Sequence, residues 1–189
     1  MPNKASIAVL ATLAATLLVP AASAEARRGS VARAAAACAN ADVRPTRENV
    51  RQVRAALLCL HNELRAAQGL PKLRDNVGLR RAARSHAQDM VASRFFSHTA
   101  PGGVSMTDRI RRAGYLRSAR SWAIGENLAW GTGAFGTPRG AVQAWMNSTG
   151  HRANLLNGRF RDAGIGVSLG TPASGGGGAT FSVDFGVRR

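Results

Sequence analysis

The chain has 189 residues, 45% of them hydrophobic, which suits one globular domain and argues against a disordered or multidomain protein. Its 26 basic and 10 acidic residues give a formal net charge of +16, and only Lys4 and Lys72 of the basic residues are lysine. The arginines show no zinc-finger spacing, no aromatic RNA-binding motif and no helical alignment on one face, which argues against specific nucleic-acid binding. A looser attraction to anionic walls or lipid surfaces is the better expectation.

Residues 1–24 have the pattern of a secretory signal peptide. Lys4 provides a positive start, an apolar run covers residues 7–19, and Ala22-Ser23-Ala24 is a small-x-small cleavage motif. The apolar run is shorter than the roughly 20 residues of a membrane-spanning helix, so cleavage is favoured over an N-terminal anchor. We expect a mature chain that begins at Glu25, has no transmembrane segment and is secreted or associated with the cell wall.

The next segment is rich in alanine and arginine and has weak periodicity, which predicts a linker-like N-terminal extension over residues 25–47. Two cysteines, Cys38 and Cys59, are present. In an exported chain an even pair indicates one disulfide, here tying the extension to the first long helix. Two reduced thiols are the alternative.

Four helices follow from apolar spacing and from capping residues. The first begins near the N-cap Thr46 and ends at Gly69, where Pro71 prevents continuation. The second is capped by Asp75. A short helix covers residues 105–112 and is ended by Gly114. The fourth opens at Thr137 or Pro138, with Ala141, Val142 and Trp145 pointing inward.

Strands come late in the chain. Apolar residues alternate over residues 165–169 and 181–185, as expected for half-buried strands, and residues 124–130 are predicted to form a third strand. The glycine-rich segment between the first two predicts a loose hairpin connection. Helices first and strands late predict an α+β fold, not a doubly wound α/β fold.

The four histidines are not equivalent. His61 and His86 lie inside helices with apolar neighbours at helical spacing, which favours structural roles. His98 and His151 lie at the ends of elements, where binding and catalytic side chains concentrate. Glu126 stands between Gly125 and Asn127 at a strand start. These residues are candidates for a site, although the chain contains no HExxH, GxSxG or CxxC motif.

Seven short stretches resemble, in order, the CAP superfamily of cysteine-rich secretory, antigen 5 and pathogenesis-related proteins, in its short bacterial form. They are His61-Asn62-Glu63-Leu64-Arg65, Phe96-Ser97-His98, Gly125-Glu126-Asn127-Leu128-Ala129, Ala144-Trp145-Met146-Asn147-Ser148, Gly150-His151-Arg152-Ala153-Asn154-Leu155-Leu156, Gly164-Ile165-Gly166-Val167 and residues 181–186. The resemblance places a CAP (SCP) domain over residues 48–189. It implies a three-layer α-β-α sandwich with a small, mostly antiparallel central sheet.

The resemblance also implies an open cleft with two histidines and two glutamates, which binds zinc or another divalent metal in some members. The histidines fall on His98 and His151, and one glutamate falls on Glu126. The second glutamate position is occupied by Ser148. The remaining set of His98, His151 and Glu126 resembles a His₂Glu zinc site. Alternatively, Glu126 hydrogen-bonds the histidines and shapes the cleft.

A missing carboxylate at Ser148 bears most on catalysis, because a metal-bound water still needs a general base and serine is a poor one. We therefore expect a secreted, monomeric binding module for a wall polymer, lipid or protein, more readily than an enzyme, with no required cofactor. A metal-dependent hydrolase that uses the same cleft is the competing hypothesis. A Ser148–His151 nucleophile pair and an N-glycosylation sequon at Asn147 are weaker alternatives.

Overall fold

The structure is a computed structural model that describes residues 21–173 and 177–189. The described residues form six α-helices and four β-strands. The helices are α1 (Ala21–Ala36), α2 (Val50–Ala66), α3 (Val77–Ala92), α4 (Met106–Arg112), α5 (Pro138–Asn147) and α6 (Thr149–Leu155). The strands are β1 (Arg74–Asp75), β2 (Trp122–Thr132), β3 (Asp162–Leu169) and β4 (Gly178–Arg188). Among these residues, no helix combines the length and apolar character needed to cross a membrane.

The four strands form one sheet in the order β1-β3-β4-β2. β1 is parallel to β3, and the other two pairings are antiparallel. Helix α3 covers one face of the sheet, whereas α2 and α5 cover the other. The predicted α-β-α sandwich with a mostly antiparallel sheet is confirmed. β1 was not predicted, because two residues are too few to show a periodicity.

The two faces of the sheet differ in chemistry. Phe181, Val183 and Phe185 of β4 point into the main apolar core with Trp145. On the opposite face, Gly164 and Gly166 let α3 approach so closely that a Cβ at either position would collide with its backbone. The prediction of half-buried strands is wrong, since both faces of β3 and β4 are buried. The glycines that alternate with the apolar residues of β3 face helix α3 instead of solvent.

Most predicted helix ends are confirmed. α2 ends as expected: Gly69 adopts φ +65°, and the Leu70 N–H donates to the Arg65 carbonyl at 3.0 Å, which is a Schellman arrangement. Ser105 forms a capping box with Asp108 at the start of α4. Thr137 caps α5, and Pro138 is its first residue.

Two predicted N-caps are wrong. Asn49, not Thr46, precedes α2, and its side chain accepts a hydrogen bond from the Thr46 N–H at 2.7 Å. Asn76, not Asp75, caps α3 by accepting bonds from the N–H groups of Gly78 and Leu79. In both cases a second capping-type residue lies one to three positions away, and the local sequence does not distinguish between them.

The segment after the predicted cleavage site is not a linker. Residues 21–36 form α1, which contacts α2 and α5 and buries Val31, Ala34 and Ala35 in the main core. The predicted disulfide between Cys38 and Cys59 is confirmed. The signal peptide stays a prediction, and residues 1–20 lie outside the described residues. Residues 174–176 of the predicted hairpin connection also lie outside them.

Replacing both Cys38 and Cys59 with alanine should lower the free energy of unfolding by roughly 3 kcal/mol, because the disulfide closes a loop of sequence separation 21. Denaturation with guanidinium chloride measures the change, and the wild-type protein with and without reductant is the control. Two titratable thiols in the oxidised wild-type protein, with no shift on reduction, would contradict this prediction.

Candidate functional site

His98 lies in the loop between α3 and α4, and α3 holds this loop in place. His86 of α3 is buried, and its Nε2–H donates to the Ser97 carbonyl at 2.9 Å. The ring of Phe95 packs against the same imidazole, with the ring centroids 5.7 Å apart. The His98 side chain itself is 57% exposed. The loop is therefore fixed at its start and presents the His98 imidazole to solvent.

Glu126 occupies the centre of the site, and both of its carboxylate oxygens are engaged. Oε1 accepts a hydrogen bond from His98 Nδ1–H at 2.8 Å. Oε2 accepts from Arg109 Nη2 at 2.6 Å and from Ser182 Oγ at 3.4 Å. The side chain is only 1% exposed, so its charge is buried and depends on these partners.

Arg109 of α4 holds His98 through two routes. Its Nη2 donates to the carboxylate that bonds the His98 imidazole, and its Nη1 donates to the His98 carbonyl at 3.0 Å and the Val104 carbonyl at 3.2 Å. Sequence reasoning missed Arg109. The only feature of the sequence that could have indicated a buried Arg109 is its place directly before the apolar Ile110 in α4. Many arginines on protein surfaces also stand next to a buried apolar residue.

The ionisation states follow from burial and from these contacts. The hydrogen bond to Glu126 raises the pKa of His98. Burial alone would raise the pKa of Glu126, but the bonds from His98 and Arg109 hold it below its usual value. Asp184 lies directly across the β2–β4 pair from Glu126. Burial and the Glu126 charge raise the pKa of Asp184 well above its usual range.

His151 belongs to the first turn of α6, and two asparagines clamp that helix to β2. Asn127 Nδ2 donates to the His151 carbonyl at 2.9 Å, and Asn154 Nδ2 donates to the Glu126 carbonyl at 3.1 Å. Gly125 makes room for the clamp, since a Cβ there would lie 3.0 Å from Asn154 Oδ1. Burial, and next the charge of His98, lower the pKa of His151. The structure thus brings His151 close enough to His98 for the charge of His98 to lower its pKa.

The other end of α6 is fixed by a buried arginine. Arg65 of α2 is fully buried, and its guanidinium donates to the carbonyls of Pro71, Leu155, Asn157 and Phe160 at 2.9–3.2 Å. These carbonyls accept from four of the five N–H donors of the guanidinium, without a carboxylate. Arg65 therefore locks the turn between α6 and β3 and fixes the orientation of α6.

The remaining predicted residues have the following places. Ser148 lies between α5 and α6 as the N-cap residue of α6, and its side chain forms no capping hydrogen bond to that helix. His61 is a structural residue as predicted: its Nδ1–H donates to the Leu57 carbonyl at 2.6 Å, and burial lowers its pKa to about 4. His86 is buried as predicted, but it also lies 3.9 Å from Glu126 Oε2 and so borders the site.

The arrangement does not fit a metal ion held jointly by His98, His151 and Glu126. Across residues 21–173 and 177–189, no three His, Cys, Asp or Glu side chains are placed to hold one ion. Glu126 is committed to His98, Arg109 and Ser182, so it would have to give up buried bonds to become a ligand. The alternative in which Glu126 orients His98 agrees better with these contacts.

The Arg109→Gln substitution should lower the free energy of unfolding by about 3–5 kcal/mol, because it leaves the buried Glu126 charge without its cation. Arg111→Gln is the matched control on the same helix: Arg111 is 62% exposed, and its ion pair with Asp108 should contribute under about 1 kcal/mol. Chemical denaturation compares the two variants. Equal, small effects would show that Arg109 does not balance a buried charge.

Comparisons with known proteins show which sequences and folds this chain is similar to. The uncharacterized protein YkwD of Bacillus subtilis is 38% identical over 107 residues, which are 57% of this chain and 39% of YkwD. An outer surface protein of Borrelia burgdorferi matches 77% of this chain and 96% of its own at 25% identity, with a TM-score of 0.60. An extracellular protein containing an SCP domain from Bacillus anthracis matches 74% of this chain and 44% of its own at 26% identity, with a TM-score of 0.57.

This chain therefore spans less than half the length of YkwD and of the B. anthracis protein. The model of the cysteine-rich secretory protein family, named CAP, matches residues 58–185, which is more than half of the chain. The matched region contains part of α2, all of α3 to α6, strands β1 to β3 and most of β4. The chain belongs to the cysteine-rich secretory protein (CAP) family.

Proposed function

We propose that this protein is an extracellular binding module that holds a polymer of the cell wall in the cleft formed by His98, Glu126 and His151. The disulfide between Cys38 and Cys59 supports work outside the cytoplasm, because such bonds are rarely kept in reducing compartments. The exposed His98 imidazole supports contact with a ligand.

The engagement of Glu126 is the observation that favours binding over catalysis. Both carboxylate oxygens bond to groups of the protein and the side chain is only 1% exposed, so Glu126 is poorly placed to take a proton from a solvent water. Ser148 stands where the family pattern has a second glutamate, and it is a poor base at neutral pH. The cleft therefore offers hydrogen-bonding imidazoles, but no carboxylate that is free to act as a general base.

Two exposed aromatic rings suggest that the ligand is extended. Phe96, two residues before His98, is 47% exposed, and Trp130 on β2 is 42% exposed. Trp130 lies four residues after Glu126 on the same side of the strand, which corresponds to roughly 13 Å. Tryptophan side chains are enriched at interfaces, because one end of the ring system is apolar and the other can form a hydrogen bond. A chain of sugar rings could contact such rings and hydrogen-bond the imidazoles between them.

A metal-dependent hydrolase is the second candidate, and one contact favours it. Histidines that bind metals usually donate their other ring N–H to a carboxylate, as His98 does to Glu126. Because Nδ1 of His98 bonds Glu126, its Nε2 is directed away from the carboxylate and is the nitrogen that would bind a metal. A test of the binding proposal must therefore also measure hydrolysis.

The test is cosedimentation of the purified exported protein with isolated cell-wall sacculi at pH 7.5. We expect the wild-type protein to bind, and His98→Ala and His151→Ala to weaken binding roughly tenfold or more, because each removes a hydrogen bond to the ligand. Gln88→Ala, an exposed position on α3, is the control and should bind like the wild type. Thermal melts of all variants check that folding is preserved.

The same mixtures are assayed for soluble wall fragments, with EDTA and with added Zn²⁺. Under the binding proposal no fragments are released under any condition. Release that EDTA stops and Zn²⁺ restores would instead support the hydrolase. Binding that is unaffected by both histidine substitutions would contradict the role of the cleft.

A further inference from the structure

Five arginines meet at the end of the sheet where β2 begins and β4 ends. Arg159, Arg161, Arg188 and Arg189 line a cavity of about 530 Å³, and Arg120 adjoins them through the backbone. We call these five residues the arginine patch. They come from loops and strand ends, which is why the helical positions of the arginines did not indicate a patch.

The backbone beneath the arginine patch is fixed by hydrogen bonds. The N–H groups of Arg120 and Ser121 both donate to the Arg189 carbonyl, at 2.7 and 3.2 Å, and the Arg189 N–H donates back to the Ser121 carbonyl at 2.9 Å. The Arg161 N–H donates to the Gly186 carbonyl at 3.0 Å. The backbone that carries the arginine side chains is therefore held in place by hydrogen bonds.

These charges are not neutralised within the described chain. None of the five arginines forms an ion pair with an acidic side chain among the described residues. Asp162 is the neighbouring acid in sequence, and it already accepts a bond from the Tyr115 hydroxyl at 2.9 Å and pairs with Arg74 at 3.5 Å. The patch can thus attract an external anion.

The exposed indole of Trp122 favours a membrane surface as the anionic partner of the arginine patch. Trp122 pairs in register with Arg188, lines the same cavity and is 43% exposed, whereas Trp145 is buried. Tryptophan next to basic residues is typical of surfaces that contact the headgroup region of a bilayer. We propose that the arginine patch and Trp122 bind the surface of a membrane that contains anionic phospholipids.

This second surface lies at the opposite end of β2 from the exposed ring assigned to the cell-wall polymer. Trp122 and Trp130 stand four residues before and four residues after Glu126, so each lies roughly 13 Å from it, in opposite directions. Near an anionic membrane each arginine increases partitioning about fivefold, and salt screens the effect. Removing two arginines of the patch should therefore weaken membrane binding roughly 25-fold.

The test is sedimentation of the purified exported protein with vesicles of phosphatidylglycerol and phosphatidylcholine, and with vesicles of phosphatidylcholine alone. We expect binding only to the anionic vesicles, weakened roughly 25-fold in the double variant Arg159→Gln/Arg189→Gln. The matched control, Arg47→Gln/Arg51→Gln, removes two exposed charges on the N-terminal side of α2 and should change binding less than about threefold. All variants have the same N-terminal residues, so any contribution of that segment to vesicle binding is equal in each.

Tryptophan fluorescence with brominated lipids tests the orientation. Quenching should fall in Trp122→Phe and persist in Trp130→Phe, which removes a ring of nearly equal exposure eight residues further along β2. His98→Ala should leave vesicle binding unchanged, so failure of the cleft proposal does not affect this result. Equal losses in both double variants would overturn the proposal, as would absent vesicle binding together with tight binding to DNA or a soluble glycerol phosphate polymer.

Discussion

The buried ion pair of Glu126 and Arg109 determines the arrangement of the site. A carboxylate on a central part of β2 is stable there only because a guanidinium 2.6 Å away balances its charge. The same guanidinium bonds the His98 carbonyl, and the same carboxylate bonds the His98 imidazole. One pair of charges thus joins α4, β2 and the His98 loop. Burying the two charges costs desolvation free energy. The buried pair also fixes the His98 imidazole at an exposed position.

The sheet can hold this buried ion pair because one of its faces is apolar and the other carries polar residues. The apolar face, with Phe181, Val183 and Phe185, supplies the main core. The other face carries Ser182, Asp184 and Glu126, beneath a helix that glycines allow to approach closely. The free edge of β2 is closed by side chains: Trp145 Nε1 donates to the Leu128 carbonyl, and Asn154 to the Glu126 carbonyl. These bonds protect an edge strand and also place α6, with His151, beside the site.

Local signals in the sequence were sufficient for most elements and for the disulfide, whereas the candidate residues of the cleft came from the family resemblance. Ser105, Thr137 and Gly69 cap helices as their chemistry predicts. Local signals were insufficient where a contact joins distant segments. Arg109 differs from a surface arginine only through its partners, Glu126 and the His98 carbonyl, and nothing near it in the sequence shows them. The helix α1 was missed for a similar reason, since its alanines gain stability by packing on α2 and α5.

The central claim is that Glu126 acts through His98, as a buried hydrogen-bond partner instead of a metal ligand or a free base. Nitrogen-15 NMR titration of the histidine side chains in the metal-free protein tests it most directly. The account predicts that His98 titrates above the ordinary value of 6.5 with its proton retained on Nδ1, and that His151 titrates below 6.5. A pKa for His98 at or below 6.5, with the neutral ring protonated on Nε2, would contradict it.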